Sequence, residues 1–308
     1  MQYPISRRQD VRFSSGRDRC HAWFYEPAAS SGQHPQRCPI IVMAHGLGGV
    51  KAGGLHAFAA RFQQAGFACL VFDYRCFGDS EGTPREWLDI GRQREDWRAA
   101  IACARGLPNV DPDKVILWGT SFAGGHVMAV AAGDPRVAAV IAQCPFTDGL
   151  ASTLAVDPLT SFRITVRALS DQVASWFGMG PVRVPTVGEP GSVALMNSKD
   201  GLAGYNAILQ AAGVDHVPID VPARIALQIL LDSPGRQARH IQCPALFCVC
   251  DKDTVAPAKA TLKHVKNAPQ GEVVRYPAGH FDIYVGEDFE RNVNEQLAFL
   301  ARHFGAGH

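Results

Sequence analysis

Three short stretches carry side chains that could perform covalent chemistry on a carbonyl. Gly119-Thr120-Ser121-Phe122-Ala123-Gly124 follows an apolar run at 115–118 and opens a small-residue helical stretch at 122–132. A serine at the tip of a sharp strand-to-helix turn has strained backbone and needs small neighbours, which Gly119 and Gly124 supply. The turn also puts Ser121 at a helix start, where free N–H groups and the dipole favour developing negative charge. The plainer reading of the hexapeptide is a βα turn with a helix-capping serine; its place directly after a strand favours the nucleophile. Pro277-Ala278-Gly279-His280-Phe281-Asp282 follows the last strand-like run. A histidine in such a Gly-flanked loop can swing toward Ser121 as a base. Asp251-Lys252-Asp253-Thr254 follows the run ending at Cys250. A carboxylate there can hold the imidazole tautomer and stabilise the imidazolium. Asp253 is preferred over Asp251 for that role, and Asp282 is a weaker alternative. The bland reading of either loop aspartate is a cap on the following helix.

A fourth stretch, His45-Gly46-Leu47-Gly48-Gly49, ends an earlier apolar run at 39–44. A glycine-rich loop there lets a backbone N–H, that of Leu47, point at a substrate carbonyl oxygen, with the N–H of Phe122 as second donor. A phosphate-binding loop is excluded because no Gly-Lys-Ser/Thr ending follows. His45 precedes the glycines at a strand end and reads as a structural hydrogen-bonding residue.

The elements that must position these residues alternate. A hairpin turns at Ser15-Gly16-Arg17-Asp18; buried strands are expected at 39–44, 67–72, 115–118 and 137–142, with helices at 55–65, 84–105 and 122–132. Short runs that are apolar on both faces, separated by helices, predict a mostly parallel, doubly wound sheet. The alternation stops near Phe146 and resumes at 243–250 and 272–276, with a terminal helix at 289–304. Residues 1–147 and 240–308 therefore form the core, and 148–239 a helical cap inserted into it. Within the cap, 164–176 and 202–212 have helical spacing, the Gly/Pro-rich stretch 178–191 lies between them, and no buried strand is evident. Phe146, Trp176 and Met179 are expected to line a substrate pocket, packing within the cap being the rival use.

Composition narrows the classes. With 308 residues, 47% hydrophobic and a net charge of +1, the chain suits one globular core with an insertion and offers no basic face for nucleic acid. Its 9 cysteines include no Cys-x-x-Cys pair, and Cys248 and Cys250 read as buried apolar residues, so no metal site is expected. Residues 1–10 lack the apolar stretch of a signal peptide, and no run is long enough to span a membrane. Free cysteines without an export signal predict a cytoplasmic setting.

The four motifs, in the order His45-Gly46, Ser121, Asp253, Gly279-His280, resemble the α/β-hydrolase superfamily over 1–147 and 240–308. Ser121-Phe122 with its glycines is similar to the elbow of X-prolyl dipeptidyl peptidase and cocaine-esterase type acyl esterases. Phe72-Asp73-Tyr74-Arg75-Cys76-Phe77-Gly78-Asp79-Ser80 is similar to a loop common across the superfamily, with Cys76 where glycine is commoner, and Ala123 likewise replaces an elbow glycine. The resemblance implies an α/β-hydrolase fold, a lid over a pocket, a small-molecule ester or related acyl substrate, and no cofactor. The expected reaction is ester hydrolysis through an acyl-enzyme, for example of a monoalkyl ester of an aromatic acid. C–C bond, thioester and peptide hydrolysis use the same triad, and a non-catalytic binding protein on this fold is the remaining alternative.

Overall fold

The computed structural model describes residues 8–27 and 37–305, so most of the N-terminal segment read above lies outside it. β1 (Arg8–Ser15) and β2 (Asp18–Tyr25) form the expected antiparallel hairpin, closing at Ser15↔Asp18. β3 (Cys38–Ala44), α1 (Leu55–Gln64), β4 (Ala68–Phe72), α2 (Ile90–Arg105), β5 (Val110–Thr120), α3 (Phe122–Ala131) and β6 (Val137–Gln143) then alternate. The alternation gives each parallel strand a crossover helix. All five residues of β4 are buried, as a strand covered on both faces requires.

Helix α2 starts at Ile90, six residues later than 84–105 suggested. The Asp89 side chain accepts a hydrogen bond from the Arg92 N–H at 2.9 Å and so fixes the helix start, satisfying a donor that no helical carbonyl can reach.

The insertion follows β6. It holds α4 (Gly149–Leu154), α5 (Pro158–Trp176), β7 (Arg183–Pro185), α6 (Gly201–Ala212), β8 (Asp220–Pro222) and α7 (Ile225–Leu231). Both expected helices are present. β7 and β8, absent from the sequence reading, pair antiparallel with Val184 opposite Val221, both fully buried. Three-residue strands that end in proline are too short to display an alternation of period two. The chain then returns to the sheet through β9 (Ala245–Cys250), α8 (Ala258–Val265), β10 (Gly271–Tyr276) and α9 (Gly286–Phe304).

The eight-stranded sheet has the order β1-β2-β4-β3-β5-β6-β9-β10, antiparallel through β2 and parallel beyond it. Side chains cover both faces, with Phe72, Tyr74 and Trp97 in one layer and Phe58, Trp118 and Phe289 in the other. Behind the fifth strand, Asn292 Nδ2 and Gln296 Nε2 both donate to Gln143 Oε1, and Trp118 Nε1 donates to Gln296 Oε1. Leaving one such buried group unpaired costs about 1–3 kcal/mol, so this cluster fixes α9 against the sheet in one register. Among the described residues no helix is long and apolar enough to cross a membrane.

Candidate active site

The parallel strands align their carboxyl ends, where ligands of such sheets bind. Four of the loops leaving that edge carry the residues singled out above. β5 ends at Thr120, and Ser121 follows with φ 55° and ψ −117°, a conformation that a non-glycine residue adopts only under constraint. The constraint comes from its neighbours. Ser121 N–H donates to Gln143 O at 2.8 Å, and Ser121 O accepts from Phe146 N–H at 2.9 Å. A Cβ on Gly119 would stand 2.3 Å from Ala123 O, and one on Gly46 3.0 Å from Ser121 Cβ. Ala123 is tolerated at its position, fully buried and without displacing the turn.

Ser121 precedes α3 but its side chain does not cap the helix. Its Oγ lies 2.9 Å from His280 Nε2 instead, and His280 Nδ1 lies 2.7 Å from Asp253 Oδ2. An ionised carboxylate only accepts, so Nδ1–H donates to Asp253 and Nε2 is left to accept from the Ser121 hydroxyl. Asp253 Oδ1 is held by the N–H groups of Val255 (2.8 Å) and Ala256 (2.6 Å), which aims Oδ2 at the imidazole. Asp251 is engaged elsewhere: its Oδ1 accepts from Arg275 Nε at 2.8 Å on the surface. Asp282 Oδ2 accepts from Gly279 N–H at 2.7 Å and shapes the histidine loop without touching the ring nitrogens.

His280 is fully buried. Burial disfavours its imidazolium, but the Asp253 carboxylate, with the Cys144 thiol beside it, outweighs burial and holds the pKa well above the ordinary histidine value. His45 shows the opposite balance. Burial dominates over the Asp73 carboxylate and lowers its pKa, and its Nδ1 sits 3.0 Å from Gly46 O, a structural role for the strand end.

Leu47 and Phe122 flank Ser121. Among the described residues no backbone carbonyl accepts from the N–H of either. The loop carrying Leu47 is anchored by a buried pair that the motif reading passed over. Lys51 Nζ donates to Asp73 Oδ2 at 2.6 Å, and the Lys51 N–H donates to Asp73 Oδ1 at 2.7 Å. Cys144, at the end of β6, was missed as well; its Sγ lies 3.5 Å from the Tyr284 hydroxyl, which also contacts Thr120 Oγ1. A cysteine in an apolar run gives no sign that it will end beneath an imidazole.

Two cavities meet at Ser121, Leu47 and Met196. The larger, about 330 Å³, is lined by Phe122 and Phe146 of the core and by Ile164, Leu195 and Ile229 of the insertion. The smaller, about 60 Å³, adjoins His280, Tyr205, Ile208 and Tyr284. Burial pushes the Tyr205 phenol up to about 12, and its hydroxyl has no hydrogen-bond partner among the described residues. Phe146 thus lies where the sequence reading put it. Trp176 and Met179 do not: they are 72% and 64% exposed at the far end of α5. A helix rises 1.5 Å per residue, so Trp176 sits roughly 20 Å along the axis from Ser161, which does line the larger cavity.

A sheet of this order, with a serine on the turn after its fifth strand and aspartate and histidine loops after its last two, defines the α/β-hydrolase class. A family model described as serine aminopeptidase, S33, matches residues 35–286, and the chain belongs to that family. It is 51% identical over 293 residues to the quorum-quenching protein AidA of Acinetobacter baumannii (strain MDR-ZJ06), covering 95% of this chain and 94% of that one. The crystal structure of the alpha/beta hydrolase GrgF from Penicillium sp. sh18 superposes with a TM-score of 0.80 at 28% identity, over 97% of this chain and 99% of that one. The thiohydrolase aneE of Aspergillus aculeatus is 27% identical over 277 residues, 85% of each chain. The chain is a hydrolase of this class.

Proposed function

We propose that the chain hydrolyses carboxylic esters through an acyl-enzyme on Ser121. The carrying observation is the continuous line Ser121 Oγ–His280 Nε2–His280 Nδ1–Asp253 Oδ2, with the serine hydroxyl free of any capping duty. The Ser121 hydroxyl attacks the carbonyl carbon while its proton passes to His280 Nε2. The oxyanion forms between the N–H groups of Leu47 and Phe122. His280 returns the proton to the leaving alcohol as the C–O bond breaks. Water, giving a proton to the same nitrogen, then attacks the acyl carbon and releases Ser121. Asp253 orients His280 throughout and stabilises its charged form.

Residues 148–239 act as the cap. The larger cavity takes the apolar acyl arm along Phe146, Ile164, Leu195 and Ile229, with Asp157 and Lys199 elsewhere in its wall. The smaller takes the leaving alcohol, with the unpartnered Tyr205 hydroxyl as its polar contact. AidA is named for quorum quenching, which supports a small signal molecule as substrate. A thioester is the second reading, favoured by the relative named a thiohydrolase. Matched acyl series of p-nitrophenyl esters and thioesters, compared by kcat/KM, test the two. Ester turnover that rises with acyl length until the cavity is full supports the first reading. Turnover of thioesters alone replaces it with the second.

A further inference from the structure

Helix α5 is apolar on two opposite faces. Thr160, Ile164, Ala168, Asp171 and Ala174 are buried against the rest of the molecule. Asp171 fastens this inner face: it is fully buried and accepts from Arg224 Nε (2.7 Å), Arg224 N (2.9 Å) and Val182 N (2.8 Å). The outer face carries Leu159, Phe162, Val166, Leu169, Val173 and Trp176, all between 46% and 72% exposed. A surface helix ordinarily turns one apolar stripe to the core and a polar face to solvent, and here the face opposite the core carries a second apolar stripe.

The spacing of the outer residues fits a second helix laid against them. They alternate by three and four residues along the whole helix, which is the period of a seam that faces another helix. The order of sizes is complementary under a two-fold axis. When two such helices run antiparallel, with the axis between Val166 and Leu169, Val166 meets Leu169 of the other copy, Phe162 meets Val173, and Leu159 meets Trp176. The two inner layers set a large side chain against a smaller one, and no layer holds a charge. Phe177 and Met179, 76% and 64% exposed, extend the face beyond the helix end. At roughly 200 Å² per large side chain the face offers about 900 Å² per protomer, near the roughly 800 Å² that each partner contributes to a standard stable interface. A monomer's largest apolar patch seldom exceeds about 300–600 Å².

We infer that the outer face of α5 is the interface of a homodimer, with the two α5 helices packed antiparallel across a two-fold axis. Each protomer's cap is then held from outside by the other's, while its inner face lines the active-site cavity through Ile164.

The test uses the full chain. Sedimentation velocity at micromolar concentration is expected to give the mass of two chains. Val166→Glu with Leu169→Glu, both at exposed positions, weakens the dimer by roughly a hundredfold or more while circular dichroism stays unchanged. Phe162→Cys with Val173→Cys crosslinks between copies under copper–phenanthroline, above the background set by the native cysteines. The two new thiols lie about 16 Å apart on one helix and cannot bond within a chain. Phe162→Cys alone stays uncrosslinked, since the axis separates its two copies by a similar distance. A single-chain mass for the unmodified protein, a dimer indifferent to the glutamates, or crosslinking by Phe162→Cys alone overturns the inference. So does a monomer that floats with phosphatidylglycerol vesicles and loses them in the glutamate variant, which assigns the face to a lipid surface.

Discussion

Around Ser121 there is no room: a Cβ on Gly46 or Gly119 would press on the turn, and the backbone carbonyl of Gln143 holds the Ser121 N–H. Around α5 there is room on both sides, a cavity of about 330 Å³ within and a bare apolar face without. The contrast separates two kinds of constraint. The turn holds a strained serine in one orientation, because a misplacement of about 1 Å there can cost a hundredfold in rate. The insertion leaves apolar side chains on both sides of α5, lining a cavity on one side and facing outward on the other. The Ser121–His280–Asp253 line lies at the sheet edge, and the insertion contributes much of the cavity wall beside it.

The contrast breaks most sharply at the serine. Ser121→Ala is expected to lower turnover by ~10⁴ to 10⁶ with the fold intact, since one hydroxyl leaves a turn whose backbone bonds to Gln143 and Phe146 remain. Retained turnover in a steady-state assay would move the nucleophile elsewhere. Next in size, Asp253→Asn is expected to cost about 10⁴, because an amide cannot hold the same imidazole tautomer. Asp251→Asn, which loses only its bond to Arg275 at the surface, leaves kcat within a few-fold. Equal losses in the two variants would undo the division between buried and surface carboxylates.

A pH profile sharpens the same point. His280 must be neutral to accept the serine proton, so activity appears as pH rises through its pKa. Asp253 and Cys144 raise that pKa against burial, which places the acid limb of kcat/KM above 6.5, the ordinary histidine value. In Asp253→Asn only Cys144 still opposes burial, and the limb moves to lower pH. A limb that stays in place would show that the carboxylate does not set it. The smallest effect belongs to the roof. Ile164→Ala enlarges the larger cavity and should shift acyl-length preference by roughly 1–3 kcal/mol. Trp176→Ala should not, since its side chain lines neither cavity. A shift with Trp176→Ala in rates measured from acetyl to decanoyl esters would return that tryptophan to the pocket.

The sheet and the site were legible for the same reason. Buried parallel strands leave continuous apolar runs, and sharp turns between strand and helix leave glycines, so Ser121, Asp253 and His280 stand out in motifs that local chemistry dictates. Asp253 could be preferred over Asp251, though the ion pair of Asp251 with Arg275 needed the fold. The cavity was less legible. Ile164, Leu195, Met196 and Ile229 come from separate segments with no shared period. Trp176 and Met179 misled because a large apolar residue in such an insertion reads as pocket lining, whereas the end of α5 and the turn after it leave them at the outer surface. The Lys51–Asp73 pair joins residues in different loops, and each alone looks like a surface charge.

The claim that Ser121 is the nucleophile is tested most directly by locating a covalent adduct. The protein is treated with a fluorophosphonate, its intact mass is measured, and the modified peptide is sequenced by mass spectrometry. One adduct per chain, on Ser121, absent from Ser121→Ala and slowed in Asp253→Asn, is the expected result. An adduct on another residue, or unmodified protein after prolonged exposure, would contradict it.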